Sequence, residues 1–224
     1  MSAPTAFSRA RSDEQRAERK EAILATAATM LETSRVNQLT LNELARQVGL
    51  AKSNVLRYFE SREAVLLELL QRETSNWMDA LEARLVEEHA HDVETIARAI
   101  ADTAASRPIL CDLSASSAGV LEHNVSAQVA TEYKRAAIAG ARRLADIVGP
   151  RMGGFSEAQS IAMVAGVTLI IGGVWASSQP SPGLAAAYDA NPDLRMMQIP
   201  LSVGIRELVA TLLVGLQHRE PSAT

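Results

Sequence analysis

Lys52, Ser53, Asn54 and Arg57 fall within six residues shortly after Gly49, and Tyr58 and Phe59 follow them directly. The chemistry open to such a set is hydrogen bonding to nucleic acid. Lysine, serine and tyrosine reach phosphate oxygens, asparagine pairs bidentately with adenine, and arginine does so with guanine. Each good bidentate pair discriminates against the wrong base by about 1–3 kcal/mol. These groups can act together only if one rigid element presents them on its open side and buries its other side.

The surrounding residues provide that element. Residues 39–62, LTLNELARQVGLAKSNVLRYFESR, read as two short helices joined by a glycine turn. Thr40 precedes Glu43 by three residues, the spacing of a capping box in which each side chain satisfies the other's backbone N–H. Leu41, Leu44, Ala45 and Val48 form the inward stripe, and Gly49 stands where a left-handed C-cap is needed. At about 100° per residue, a third helix over 51–59 turns Ala51, Val55 and Phe59 inward and Ser53 and Arg57 outward. Asn54 and Leu56 lie on its flanks, Lys52 at the margin, and Ser61 is placed to cap the next helix.

The run from Thr40 to Leu67, TLNELARQVGLAKSNVLRYFESREAVLL, resembles the amino-terminal domain of the tetracycline-repressor (TetR/AcrR) family. The likeness covers roughly residues 16–70 and includes the Ala45/Gly49 pair, Lys52, Tyr58-Phe59 and the Ser61-Arg62-Glu63 entry. It implies an all-α homodimer of about nine helices per subunit. Three helices would form a helix-turn-helix DNA-binding head, and the rest a helical ligand-binding and dimerisation body. Carried over position by position, it implies phosphate contacts from Thr40, Lys52, Tyr58 and Arg62. Base-edge contacts would come from Ser53, Asn54 and Arg57, with Asn42 reaching in from the second helix. The chain departs from the pattern at Ala51, where Ser or Thr is common, at Leu56 in place of Tyr, and at Arg57 in place of His. These departures bear on operator sequence and leave the fold expectation intact.

Composition agrees with an all-helical soluble protein: 47% hydrophobic, 21% charged and only 4% aromatic. Residues 1–62 hold ten Lys/Arg against seven Asp/Glu, a net +3, whereas residues 63–224 hold twelve against nineteen, a net −7. A basic end on an acidic body suits phosphate contact confined to that end. Residues 1–12, with Arg9, Arg11 and Pro4, read as a disordered basic arm, 13–60 as the head and 61–224 as the body. The amino terminus lacks a signal-peptide core. The apolar run 161–176 is 16 residues long, short of the roughly 20 that span a bilayer. A buried helix, a cytoplasmic location and no membrane partner are expected.

In the body, helices are expected over 92–105, 109–121, 124–148, 156–178 and 200–218, with 179–199 a loop holding at most one short helical turn. Small residues recur along the fourth of these, at Ala158, Ala162, Ala165, Gly166 and Gly173. With Leu169, and with Leu208 and Leu212 of the last helix, they suggest a homodimer interface. The family resemblance implies a small-molecule cavity in the body. Trp77, Met78, Cys111, Tyr133, Met163 and Trp175 are the candidate wall residues by size and by placement on amphipathic helices.

The sequence gives little support to catalysis. His89 and His91 are two apart, a spacing that on a helix points the rings away from one another, so no metal site is expected. Cys111 sits beside Asp112 without a basic neighbour to favour its thiolate. No catalytic residues and no cofactor are assigned; the expected partners are double-stranded operator DNA, a second copy of the chain and an unknown small-molecule effector. The competing reading is a helical dimeric protein-interaction module, or an activator, without ligand-controlled DNA binding.

Overall fold

The computed structural model describes residues 6–218, and side chains from residue 14 onward. Among the described residues there are no strands, and nine helices are seven residues or longer.

The head comprises α1 (Ala6–Leu31), α2 (Leu41–Val48) and α3 (Lys52–Val55). Ile23, Leu24, Ala27 and Leu31 line one side of α1 and are buried against Leu44 and Ala45 of α2, with Val55 and Phe59 completing the core. Helix α1 begins at Ala6, so residues 6–12 of the expected arm are helical backbone. Alanine and arginine are good helix formers, and they extend the amphipathic helix backwards. Residues 1–5 lie outside the described residues.

Half of the expected capping box is present at α2. Thr40 Oγ1 accepts the Glu43 N–H at 3.2 Å, but the Glu43 carboxylate is taken by Arg46 Nε at 3.1 Å and Gln47 Nε2 at 3.2 Å. Gly49 closes the helix with φ +75°, a left-handed conformation that costs a residue with Cβ far more than glycine. The third helix is shorter than its sequence pattern predicts. Beyond Val55 the chain tightens into i→i+3 turns, Arg57 N–H to Asn54 O at 3.2 Å and Tyr58 N–H to Val55 O at 2.9 Å. Ala51 is exposed rather than buried. It occupies the N-cap with extended backbone and no side-chain cap, so its methyl does not share the helix's inner face.

Head and body share α4 (Arg62–Glu87), capped by Ser61 Oγ accepting the Ala64 N–H at 3.1 Å. Its first turns bury Val65, Leu66 and Leu69, and its later turns bury Trp77, Met78, Leu81 and Leu85. The body continues through α5 (Val93–Ala105), α6 (Pro108–Ser116), α7 (Ala127–Val148), α8 (Glu157–Ser177), α9 (Pro182–Ala190) and α10 (Leu201–His218). A π-helical turn over Ser117–Leu121 and a 3-10 turn over Glu122–Asn124 lead from α6 to α7. Instead of a loop, 179–199 contains α9 and a 3-10 turn, Pro192–Met197. Pro182 and Pro192 stand at the start of these elements, where a missing N–H costs nothing, and Ser181 caps α9.

Helix α8 matches the expected 156–178 to within a residue at each end, and differs from expectation in burial. At 21 residues it is long and apolar enough to cross a membrane by length and composition, and only about a third of it is buried. The buried residues are Met163, Val167, Ile171, Gly172, Val174 and Trp175, facing α6 and α10. Gly172 allows the approach: a Cβ there would lie 3.2 Å from the Ala115 Cα. His89 and His91 fall in the turn between α4 and α5, with His89 at φ +49°, and not on a helix.

Candidate nucleic-acid interface and ligand cavity

Lys52, Ser53, Asn54 and Arg57 are exposed, and Thr40 and Asn42 are exposed on the neighbouring α2 end. Val55 and Phe59, at 0% and 3% exposure, hold the inner side. The recognition segment is thus anchored on one face and open on the other. Leu56 stands 42% exposed on the flank, an apolar group of the kind that meets a thymine methyl.

Helix α1 braces the far end of this segment. Arg16 donates to the Arg57 carbonyl at 3.2 Å, and its guanidinium lies 5.6 Å from the centre of the Tyr58 ring. Lys20 lies 5.0 Å over the Phe59 ring and pairs with Glu68 at 2.8 Å. Arg16, Arg19, Arg57 and Tyr58, with Gln15, Glu18 and Ala22, line a polar cleft beside the recognition segment. Arg16 and Arg19 were missed in the sequence. Their spacing with Lys20, three and four residues along one helix face, is the signal that would have found them.

Arg62 is differently employed from its expected phosphate contact. Its Nη1 donates to the Leu39 carbonyl at 3.1 Å and its Nη2 pairs with Glu63 at 2.9 Å, with about a fifth of the side chain exposed. The guanidinium ties the start of α4 to the strand of chain entering α2. Tyr58 is half-buried. On α2, hydrogen bonding from Arg46, and then from Gln47, holds the Glu43 carboxyl below its ordinary range, so that it is ionised and already paired.

A cavity of about 430 Å³ opens between α4, α6, α7 and α8. It exists because α7 brings Ala136, Ala137, Ala139, Gly140 and Ala141 to face Trp77 and Met78 of α4. Of the 22 residues of α7, only Leu144, Ile147 and Val148 are buried, all in its last turns. Trp77 Nε1 donates to Thr103 Oγ1 at 3.0 Å, which fixes the indole. Tyr133 also lines the space; burial first, and then the Glu122 charge, push its phenol up from the ordinary value.

Three expected wall residues lie elsewhere. Cys111 is fully buried, its Sγ 3.3 Å from the Ala104 carbonyl, with the thiol pushed up to about 12 by burial and then by Asp112. Met163 is fully buried in the α8 core contact. Trp175 donates from Nε1 to Asp112 Oδ1 at 3.0 Å and packs under the Arg35 guanidinium at 5.1 Å, at the junction of head and body. Size and amphipathic placement describe core residues as well as cavity walls, and these three are core.

The expected dimer residues also divide. Ala158, Ala165, Leu169, Gly173 and Leu208 are exposed, Leu169 at 74%, and Ile161 at 64% joins them. Ala162 is half-buried. Gly166 and Leu212 face one another within the subunit: a Cβ on Gly166 would come 2.5 Å from Leu212 Cδ2. This pair joins α8 to α10 inside one chain.

Residues 23–69 match the family described as "Bacterial regulatory proteins, tetR family", and residues 71–220 match "Tetracyclin repressor-like, C-terminal domain". The HTH-type transcriptional regulator EthR of Mycolicibacterium smegmatis is 37% identical over 70 residues, which is 30% of this chain and 32% of that protein. EthR of Mycobacterium tuberculosis is 42% identical over 55 residues, 25% of this chain and 26% of that protein. These matches therefore span a third or less of the curated relatives' length. Among solved structures, FadR of Thermus thermophilus, a TetR-family transcriptional repressor in complex with lauroyl-CoA, superposes with a TM-score of 0.58 at 17% identity, over 92% of this chain and 98% of that one. The fatty acid degradation regulator FadR of Bacillus halodurans gives 0.55 at 16% identity, over 90% and 97%. Those likenesses show a shared all-helical fold, and the two family matches together run through both head and body. The chain belongs to the tetR family of bacterial regulatory proteins.

Proposed function

We propose that this protein is a cytoplasmic, one-component transcriptional repressor. Two copies bind a near-palindromic operator, and a small molecule entering the cavity releases them. The observation that carries the reading is the recognition segment, with Val55 and Phe59 buried and Lys52, Ser53, Asn54 and Arg57 open on the opposite side. A second copy of the chain accounts for the exposed apolar surface of α8 and α10. The exposed side of α8 includes Ile161 and Leu169, and α10 adds Leu208. In such a dimer the two recognition segments must sit roughly 34–36 Å apart, one turn of DNA, or a multiple of that. A ligand that favours a state with another separation weakens DNA binding by its differential affinity for the two states, typically about 1–3 kcal/mol. The same fold holds lauroyl-CoA in the Thermus thermophilus repressor, which supports a ligand in the body as a working principle.

Selection of bound duplexes from a random pool, followed by footprinting and a salt titration, tests this. A symmetric footprint is expected, with log affinity falling linearly and steeply as log salt rises, because bound cations are released from the phosphates. A flat salt response with no selected sequence would overturn the repressor reading and favour a protein-interaction module.

A further inference from the structure

The charges around the cavity bear on what it can hold. Arg143 is the cationic side chain of the lining, and it is already occupied: it donates to Asp79 at 2.5 Å and pairs with Glu82 at 3.2 Å. Both carboxylates hold the guanidinium firmly protonated; they stand behind it, exposed and outside the lining itself, and two against one leaves the surroundings of Arg143 net negative. Near Tyr133 at the α6–α7 end, Lys134 is paired with Glu122 at 2.6 Å. The other polar wall groups are neutral. Thr74 and Thr168 donate their hydroxyls to the Leu70 and Val164 carbonyls, and Ser117 to that of Ser114. An entering anion therefore meets cations that already have partners, and a carboxylate pair that repels it.

We infer that the cavity selects a largely apolar molecule carrying no negative charge, neutral or singly cationic, and that acyl-CoA thioesters are not its effectors. The inference rests on the cavity being the ligand site proposed above. Leu70, Trp77, Met78 and Leu144, together with the alanines of α7, supply the apolar contact. At about 430 Å³ the space lies in the lower half of the ~300–1,000 Å³ range of small-molecule sites. The headgroup of a bound molecule would lie toward Asp79 and Glu82, where a cation gains attraction and an alcohol loses nothing. A thioester of coenzyme A would instead bring its phosphates to the same carboxylates.

The test uses the full-length protein and four probes sharing one ten-carbon chain: decyltrimethylammonium, decan-1-ol, decanoate and decanoyl-CoA. Calorimetric titration should show the first two binding at least about tenfold more tightly than the last two, since like charges placed together oppose association. Ala137→Phe, which fills the cavity from α7, should abolish that binding. The double variant Asp79→Asn, Glu82→Gln changes exposed side chains and frees Arg143. It should shift the decanoate-to-decyltrimethylammonium preference by at least about tenfold toward decanoate and leave decan-1-ol unchanged. Decanoate or decanoyl-CoA binding as tightly as the uncharged probe, an unmoved preference in the double variant, or no saturable binding of any probe would each overturn the inference. Operator binding measured on the same samples separates the two readings. An anion that binds and releases DNA sinks the charge selection alone, whereas uncharged probes that bind without affecting DNA sink only the ligand-controlled repressor.

Discussion

Asp112 receives the Trp175 indole N–H at 3.0 Å on one carboxylate oxygen and the Val36 backbone N–H at 2.8 Å on the other. One side chain of α6 thereby fastens α8 to the turn that follows α1. Arg35 adds to the join, 3.9 Å from the carboxylate and stacked on the same indole. Hydrogen bonds to a mostly buried charge are worth about 1.5–3 kcal/mol. Asp112→Ala should therefore lower stability by about 2 kcal/mol, read as a shift in the urea midpoint at constant slope. Because the bond crosses from body to head, the variant should also blunt the loss of DNA affinity on ligand binding.

Arg57 and Lys52 should fail differently. Arg57→Ala should relax base preference at one position of each half-site, by about 1–3 kcal/mol of discrimination. Lys52→Ala should weaken all sequences alike and reduce the salt slope by about 1. Competition binding across a panel of single-base operator variants at several salt concentrations distinguishes them. Equal behaviour would mean that both touch only phosphate.

Leu169, 74% exposed on α8, suits a dimer test better than Gly166 or Leu212, whose contact is internal. Leu169→Asp should change subunit stability by no more than about 0.5 kcal/mol, as surface substitutions do. It should nevertheless convert the sedimenting species to a monomer and abolish operator binding. A dimer unaffected by the aspartate would place the interface elsewhere.

Gly49 has φ +75° and open space around the position of a Cβ. Gly49→Ala should cost about 1 kcal/mol through backbone conformation alone, because no neighbour has to move. Chemical denaturation measures this, and Gly49→Asn, which tolerates the left-handed region better, should recover part of the loss.

Cys111 should be inert in the native state. Its thiol is buried and pushed up to about 12, and thiolate is the reactive form. A disulfide reagent at pH 8 should release no chromophore from folded protein and one equivalent after denaturation.

The recognition segment was legible in the sequence because its signals are local. A cap, a left-handed glycine and the alternation of buried Val55 and Phe59 with polar neighbours all fall within the twenty residues from Thr40 to Phe59. Its true length was not, since the tightening after Val55 depends on α1, where Arg16 captures the Arg57 carbonyl 41 residues away. Arg62 shows the same limit: its partner is the carbonyl of Leu39, and no pattern around Arg62 announces it. In the body, Trp77, Met78 and Tyr133 do line the cavity, while Cys111, Met163 and Trp175 serve the core. Which large residue borders empty space is decided by the small residues opposite it, a property of two helices together. Prolines at 182 and 192 read as loop markers although they begin helical elements.

The alanines and glycine of α7 leave a void whose shape is set by missing bulk and not by fixed polar groups. Exchanging one methyl for a larger aliphatic group there would remodel the accommodated guest without touching the head, since the helix buries little else along that stretch. New chemical responsiveness can therefore arise on this scaffold by single substitutions in α7, while the DNA address written in α3 stays as it is.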